Sequence, residues 1–83
     1  MHQFKYIIDR IDQFVIFSPS VQHIDAADLL MGDYGSDIVG AGFIDMFDGG
    51  VCCYGTSISL KIDTRGNIDS EIIANSLGLK VSL

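Results

Sequence analysis

Apolar positions fall into short clusters separated by polar or glycine-rich breaks, and the spacing within each cluster predicts its element. "FKYIIDR" and "FVIF" are rich in β-branched and aromatic residues, and the polar break Ile11-Asp12-Gln13 between them predicts a β-hairpin. Ser18-Pro19-Ser20 stops the second strand, because proline lacks the N–H that a ladder requires. In "VQHIDAADLLM", Val21, Ile24, Ala27, Asp28 and Met31 recur near helical spacing, which predicts a helix over about 22–31 closed by Gly32, with "DYGSD" as the following loop. "IVGAGFIDM" and "VCCYGTSISL" flank Asp48-Gly49-Gly50, and glycines provide the positive φ that tight hairpin turns demand. After a turn at "DTRGN", Ile68, Ile72, Ile73 and Leu77 share one face of a second helix, with Asp69 or Ser70 able to cap it and Gly78 ending it. "LKVSL" closes the sequence as a short strand.

The order β-β-α-β-β-α-β predicts one α+β domain over 1–83, with a mixed, mainly antiparallel sheet and both helices packed on it. "FVIF" is apolar at every position, so both its faces need cover, from a helix and loop or from a second subunit. A chain of 83 residues buries only about 60 to 65% of the surface it exposes when unfolded, and its small core adds to the expectation of a homo-oligomer.

A period of two along "VCCYGTSISL" sets Cys53, Gly55, Ser57 and Ser59 on one face and Cys52, Tyr54, Thr56, Ile58 and Leu60 on the other. The second is the better core face. The first then presents two hydroxyls beside a glycine, either as solvated strand serines or as donors to an anion.

Composition narrows the function classes. With 48% apolar and 19% charged residues the chain is globular in type. Eleven acidic residues against five basic ones, a net charge of −6, argue against a general nucleic-acid or anionic-membrane surface. Any phosphate must be held locally. The start, "MHQFKYIIDR", lacks a basic region followed by an apolar stretch, and no apolar run approaches the roughly 20 residues of a membrane span, so a cytoplasmic protein is expected. Cys52 and Cys53, as strand neighbours, point to opposite faces and are expected as small apolar fillers. The aspartates lack calcium-loop spacing and His2 and His23 make no zinc set, so no metal and no cofactor are expected. "GAGFID" lies within a hairpin strand, where it is no dinucleotide loop.

His23 opens the first predicted helix, where unpaired N–H groups and the positive end of the dipole favour an anion and keep an imidazole neutral. Neutrality is what a general base or nucleophile requires. A partly exposed histidine near a cap would have the same spacing. Lys5, on the first strand, could supply positive charge or simply be solvated.

"FKY", "HIDAADLL", "GAGFI", "VCCYGTSISL" and "LGLKVSL", in that order, resemble the Janus/Ocnus (phosphohistidine phosphatase-like) family over nearly the whole chain. The resemblance rests on order and spacing, each motif being short. It implies that His23 matches the catalytic histidine that removes phosphate from phosphohistidine, as base or nucleophile. It also implies a phosphate cradle formed by the N–H at Ile24, Ser57 of the Y-G-x-S strand, Ser59 two positions on, and Lys5 of F-K-Y. Two family arginines are replaced, by Phe43 after the Gly-x-Gly and by Val15 on the strand before the histidine. Each lost charge-assisted hydrogen bond is worth roughly 1.5 to 3 kcal/mol. The expectation is therefore a phosphoryl-site protein that removes phosphate from phosphohistidine, the alternative being a non-catalytic binding or assembly module of the same fold.

Overall fold

The computed structural model describes residues 3–30 and 37–82 of the chain. It is an α+β fold: a five-stranded, mainly antiparallel sheet in the order β2-β1-β3-β4-β7, a two-stranded ribbon β5-β6, and two helices. The first hairpin pairs β1 (Gln3–Asp9) with β2 (Phe14–Phe17). Its turn is organised by buried Asp9, whose Oδ1 accepts the N–H groups of Ile11 at 3.0 Å and Gln13 at 2.9 Å. Helix α1 (His23–Leu30) follows, and the expected closure at Gly32 and the loop over 33–36 lie outside the described residues.

β3 (Ile38–Phe47) runs antiparallel to β1 and to β4 (Gly50–Tyr54), which it reaches through a turn with Asp48 at φ 50° and Gly49 at φ 76°. The expected hairpin therefore forms, but its second strand does not run through to Leu60. β3–β4 pairing stops at Phe43 opposite Tyr54, and Gly55 adopts φ 81°, a left-handed conformation that turns the chain off the sheet. β5 (Thr56–Ser57) then pairs with β6 (Ile62–Asp63) instead. Gly42 makes the departure possible: a Cβ there would lie 2.5 Å from the Tyr54 carbonyl oxygen, so only glycine lets the two backbones approach.

The break reverses the expected faces. Cys53 and Ser57 are buried and Ile58 is 86% exposed. Alternation cannot carry a face assignment across a residue with positive φ.

α2 (Asn67–Leu77) begins after Gly66 and ends at Gly78, whose left-handed φ of 71° lets its N–H reach the Ala74 carbonyl. Its buried face is Asp69, Ser70, Ile73 and Ala74, whereas Ile68 is 56% and Leu77 45% exposed. The helix is thus rotated from the apolar face expected, because Asp69 and Ser70 bind groups beneath it and do not serve as the Ncap. β7 (Lys80–Val81) adds to β4 in parallel.

The helices cover opposite sides of the sheet. Tyr6, Ile8, Ile44 and Val51 pack with Ile73 and Ala74 of α2, while Ile7, Phe17 and Ala41 pack with Ala26 and Ala27 of α1. Phe14 and Ile16 join the first cluster, and Val15 and Phe17 the second. Both faces of "FVIF" thus meet apolar partners within the chain, with Phe17 buried and Phe14, Val15 and Ile16 half-buried. Among the described residues, no helix is long and apolar enough to cross a membrane.

Candidate functional site

Alternation along β1 turns Lys5 to the α1 side, and register places Phe17 and Phe43 as its cross-strand neighbours on that side. The ribbon that leaves the sheet at Gly55 rises beside the start of α1. Between them lies a cleft of about 460 Å³ lined by Lys5, Gln22, His23, Phe43, Thr56, Ile58 and Ser59.

His23 is only 4% exposed and is held from three directions. Its Nε2 lies 2.8 Å from the Gly42 carbonyl oxygen, which can only accept, so Nε2 carries the proton and the neutral ring keeps its lone pair at Nδ1. Phe17 and Phe43 meet the ring edge to face, with centroids 5.5 and 6.1 Å away. Burial lowers the His23 pKa below the ordinary imidazole value; the Gly42 carbonyl opposes the shift and the Lys5 charge adds to it. The histidine is neutral at pH 7. Lys5 donates one of its three N–H bonds to the Val21 carbonyl at 2.9 Å, which fixes the ammonium at the entry to α1.

The serines are placed differently from one another. Ser59 lines the cleft, and its Oγ accepts the Ile24 N–H at 3.2 Å, supplying from the ribbon a cap for the first turn of α1. Ser57 is buried and is not among the cleft-lining residues; its Oγ accepts the Leu60 N–H at 3.2 Å and closes the ribbon turn. The structure therefore brings together Lys5, His23 and Ser59, with the Ile24 N–H bound to Ser59 and Ser57 behind the wall. Phe43 stands in the cleft, stacked on Tyr54 with centroids 5.9 Å apart, while Val15 packs in the apolar cluster beneath α1. Asp25 adds a carboxylate to the first turn of α1.

On the other face, Asp69 and Ser70, expected as caps of the second helix, are instead buried beneath it. Asp69, fully buried, accepts the Tyr6 hydroxyl, the Arg65 backbone N–H at 3.0 Å and Arg65 Nε at 2.7 Å. Burial first, and the Asp69 bond second, raise the Tyr6 pKa, so that hydroxyl stays protonated. A Cβ at Gly40 would lie 2.2 Å from Asp69 Oδ2, so glycine makes room for the carboxylate. The aspartate-to-arginine spacing in "TRGNID" was a legible i, i+4 pair; its burial was not. Ser70 Oγ accepts the Cys53 N–H at 2.9 Å, beyond the point where β4 pairing with β7 ends at Val51.

Burial pushes the Cys53 thiol up to about 11, leaving it unreactive at neutral pH. Cys52 and Cys53 are both free thiols. Among the described residues, no group of three or more His, Cys, Asp or Glu side chains is arranged to hold a metal ion. Comparison with protein-family models, with curated proteins and with solved structures gives no match to this chain.

Proposed function

We propose that the cleft binds a phosphoryl group and that His23 acts as the base in its removal from phosphohistidine. The observation that supports this most directly is a buried, neutral imidazole, oriented through Nε2 by the Gly42 carbonyl, sharing one cleft with the Lys5 ammonium. Nδ1 takes a proton from water as the water oxygen attacks phosphorus and the phosphorus–nitrogen bond breaks. The departing imidazole nitrogen takes a proton from solvent, and His23 returns its own to solvent. Lys5 offsets charge on the phosphoryl oxygens. The Ser59 hydroxyl, accepting from Ile24, keeps its own O–H to donate.

A second reading, a binding module without hydrolysis, is favoured by Phe43. That ring stands where the family resemblance sets an arginine, leaving Lys5 as the cation among the cleft residues. One lysine is little for a dianion on a chain of net charge −6.

Phosphate release from a phosphohistidine peptide, measured beside phosphate binding followed by NMR, separates the readings. Release above the buffer rate by the native protein, reduced about 100-fold or more in His23→Ala, is the expected result. Release equal to buffer while phosphate binds selects the module. Absence of both overturns the anion site.

A further inference from the structure

The cleft is larger than a phosphate ion requires, and its lining is of two kinds. Lys5 and His23 are polar, and beside them Phe43 and Ile58 are apolar. Phe43 is rigidly presented: it lies on the central strand β3, stacks on Tyr54, and meets the His23 ring at its edge. Gly55 leaves it that room, since a Cβ there would approach the Phe43 ring to 3.0 Å. Ile58 is presented in the opposite sense, 86% exposed in the ribbon turn while lining the cleft.

A bare phosphate would engage the polar side chains and leave Phe43 and Ile58 without a partner of their own kind. A ring attached to the anion would lie along Phe43 and cover Ile58. Aromatic faces favour such offset stacking, and burial of an exposed isoleucine is favourable in proportion to the area removed from water.

We propose that this cleft takes its phosphoryl group on an aromatic ring, as an aryl phosphate does, with Phe43 and Ile58 as the specificity-determining residues. This rests on the reading of the cleft as an anion site. Cross-strand register fixes the geometry, because Lys5 and Phe43 are direct neighbours on β1 and β3. Charge and ring must therefore be adjacent in the ligand.

The test compares inorganic phosphate, phenyl phosphate and phenol as ligands of the full chain by NMR titration. Phenyl phosphate is expected to bind at least tenfold more tightly than phosphate. Ile58→Ser, a change at an exposed position that leaves folding intact, should cut phenyl phosphate affinity several-fold and leave phosphate affinity unchanged. Phe43→Leu, which keeps an apolar side chain and loses the ring, should also cut phenyl phosphate affinity several-fold, and by more than it changes phosphate affinity, since Phe43 packs against the His23 ring as well. Equal affinity for the two phosphates, or a preference that survives both variants, overturns the proposal and leaves the anion site standing. If neither phosphate binds, or phenol binds as tightly as phenyl phosphate, the anion reading itself falls. Should phosphate be too weak to detect, phenyl phosphate binding supports the proposal if Lys5→Met abolishes it and overturns it otherwise.

Discussion

Asp69 beneath α2 and His23 beneath α1 are buried polar side chains on opposite faces of one sheet, and the protein treats them differently. Asp69 has its partners within reach: the Tyr6 hydroxyl, the Arg65 backbone N–H and Arg65 Nε, with Thr64 Oγ1 also on the Tyr6 hydroxyl. Even the sheet accommodates it, through the missing side chain of Gly40. His23 has one nitrogen bonded, to a backbone carbonyl, and stands with a partly used lysine in an open cleft. The first arrangement spends the carboxylate on holding α2 to the sheet, and of its groups Arg65 Nη2 is left buried without a partner. The second holds polarity in reserve for something from outside. Buried polar groups that satisfy one another specify a packing, whereas groups left with spare donors and lone pairs at a cavity are the ones able to do chemistry.

The contrast predicts its largest effect at Asp69. Asp69→Ala removes a buried carboxylate and strands Arg65 and Tyr6, for which a loss of about 3 to 5 kcal/mol is expected in chemical denaturation. A chain of this size is stable by roughly 4 to 12 kcal/mol in total, so the loss is at least about a quarter of the whole and unfolds the variant if the native stability lies at the low end of that range. Gly40→Ala should also destabilise, but the two changes together should cost less than their sum, because the oxygen 2.2 Å from the new methyl is then gone. Additive costs would mean that the glycine is not there for the carboxylate.

The cleft side should respond in binding more than in folding. Lys5→Met removes the ammonium and one hydrogen bond to Val21, and should weaken phosphate binding about tenfold or more with a small loss of stability. Phosphate titrations of Lys5→Met and of Asp69→Asn make the comparison directly. An unchanged affinity in the first, or a loss in the second equal to it, would erase the division between the two faces.

Much of the α1 side was legible because its elements obey simple periods. The Asp48-Gly49 turn and the helix opening at His23 follow from local pattern, whereas the β1–β3 register that sets Lys5 beside Phe43 joins distant segments and does not. The α2 side was less so. A reading that seeks apolar faces rotates α2 toward Ile68 and Leu77, because it cannot know that Asp69 and Ser70 find Arg65, Tyr6 and the Cys53 N–H inside. Gly55 hid a different error, since alternation on both sides of it looks continuous although its backbone ends the strand. Ser57, expected at the anion site, is turned into the ribbon, and Ile58, expected on the core face, lines the cleft.

Acid should test the reserve on His23. Its pKa is lowered by folding, chiefly through burial, from an unfolded value of about 6.5. Between the two values the unfolded chain holds a proton that the folded chain does not. The contribution to stability is therefore full above about pH 6.5 and declines as pH falls toward the lower folded value, by no more than about 1.4 kcal/mol per pH unit. Denaturation midpoints followed from pH 7.5 downward should show this slope in the native protein and lose it in His23→Gln. A slope that persists in the variant would assign the effect to other groups.

Ser59→Ala should have the smallest effect, and its character distinguishes the two faces most finely. The hydroxyl caps the Ile24 N–H from another element, and loss of such a cap costs about 1 kcal/mol. On the α2 side, deleting a bonded group strands its partner in the interior. Here the stranded partner is an N–H at the positive end of a helix, beside a cleft that we propose takes an anion. The anion should accept that N–H in place of the hydroxyl, so phosphate affinity should change by less than about threefold although stability falls. A loss of tenfold or more would show instead that the Ser59 hydroxyl is itself a principal ligand and that the helix N–H cannot replace it.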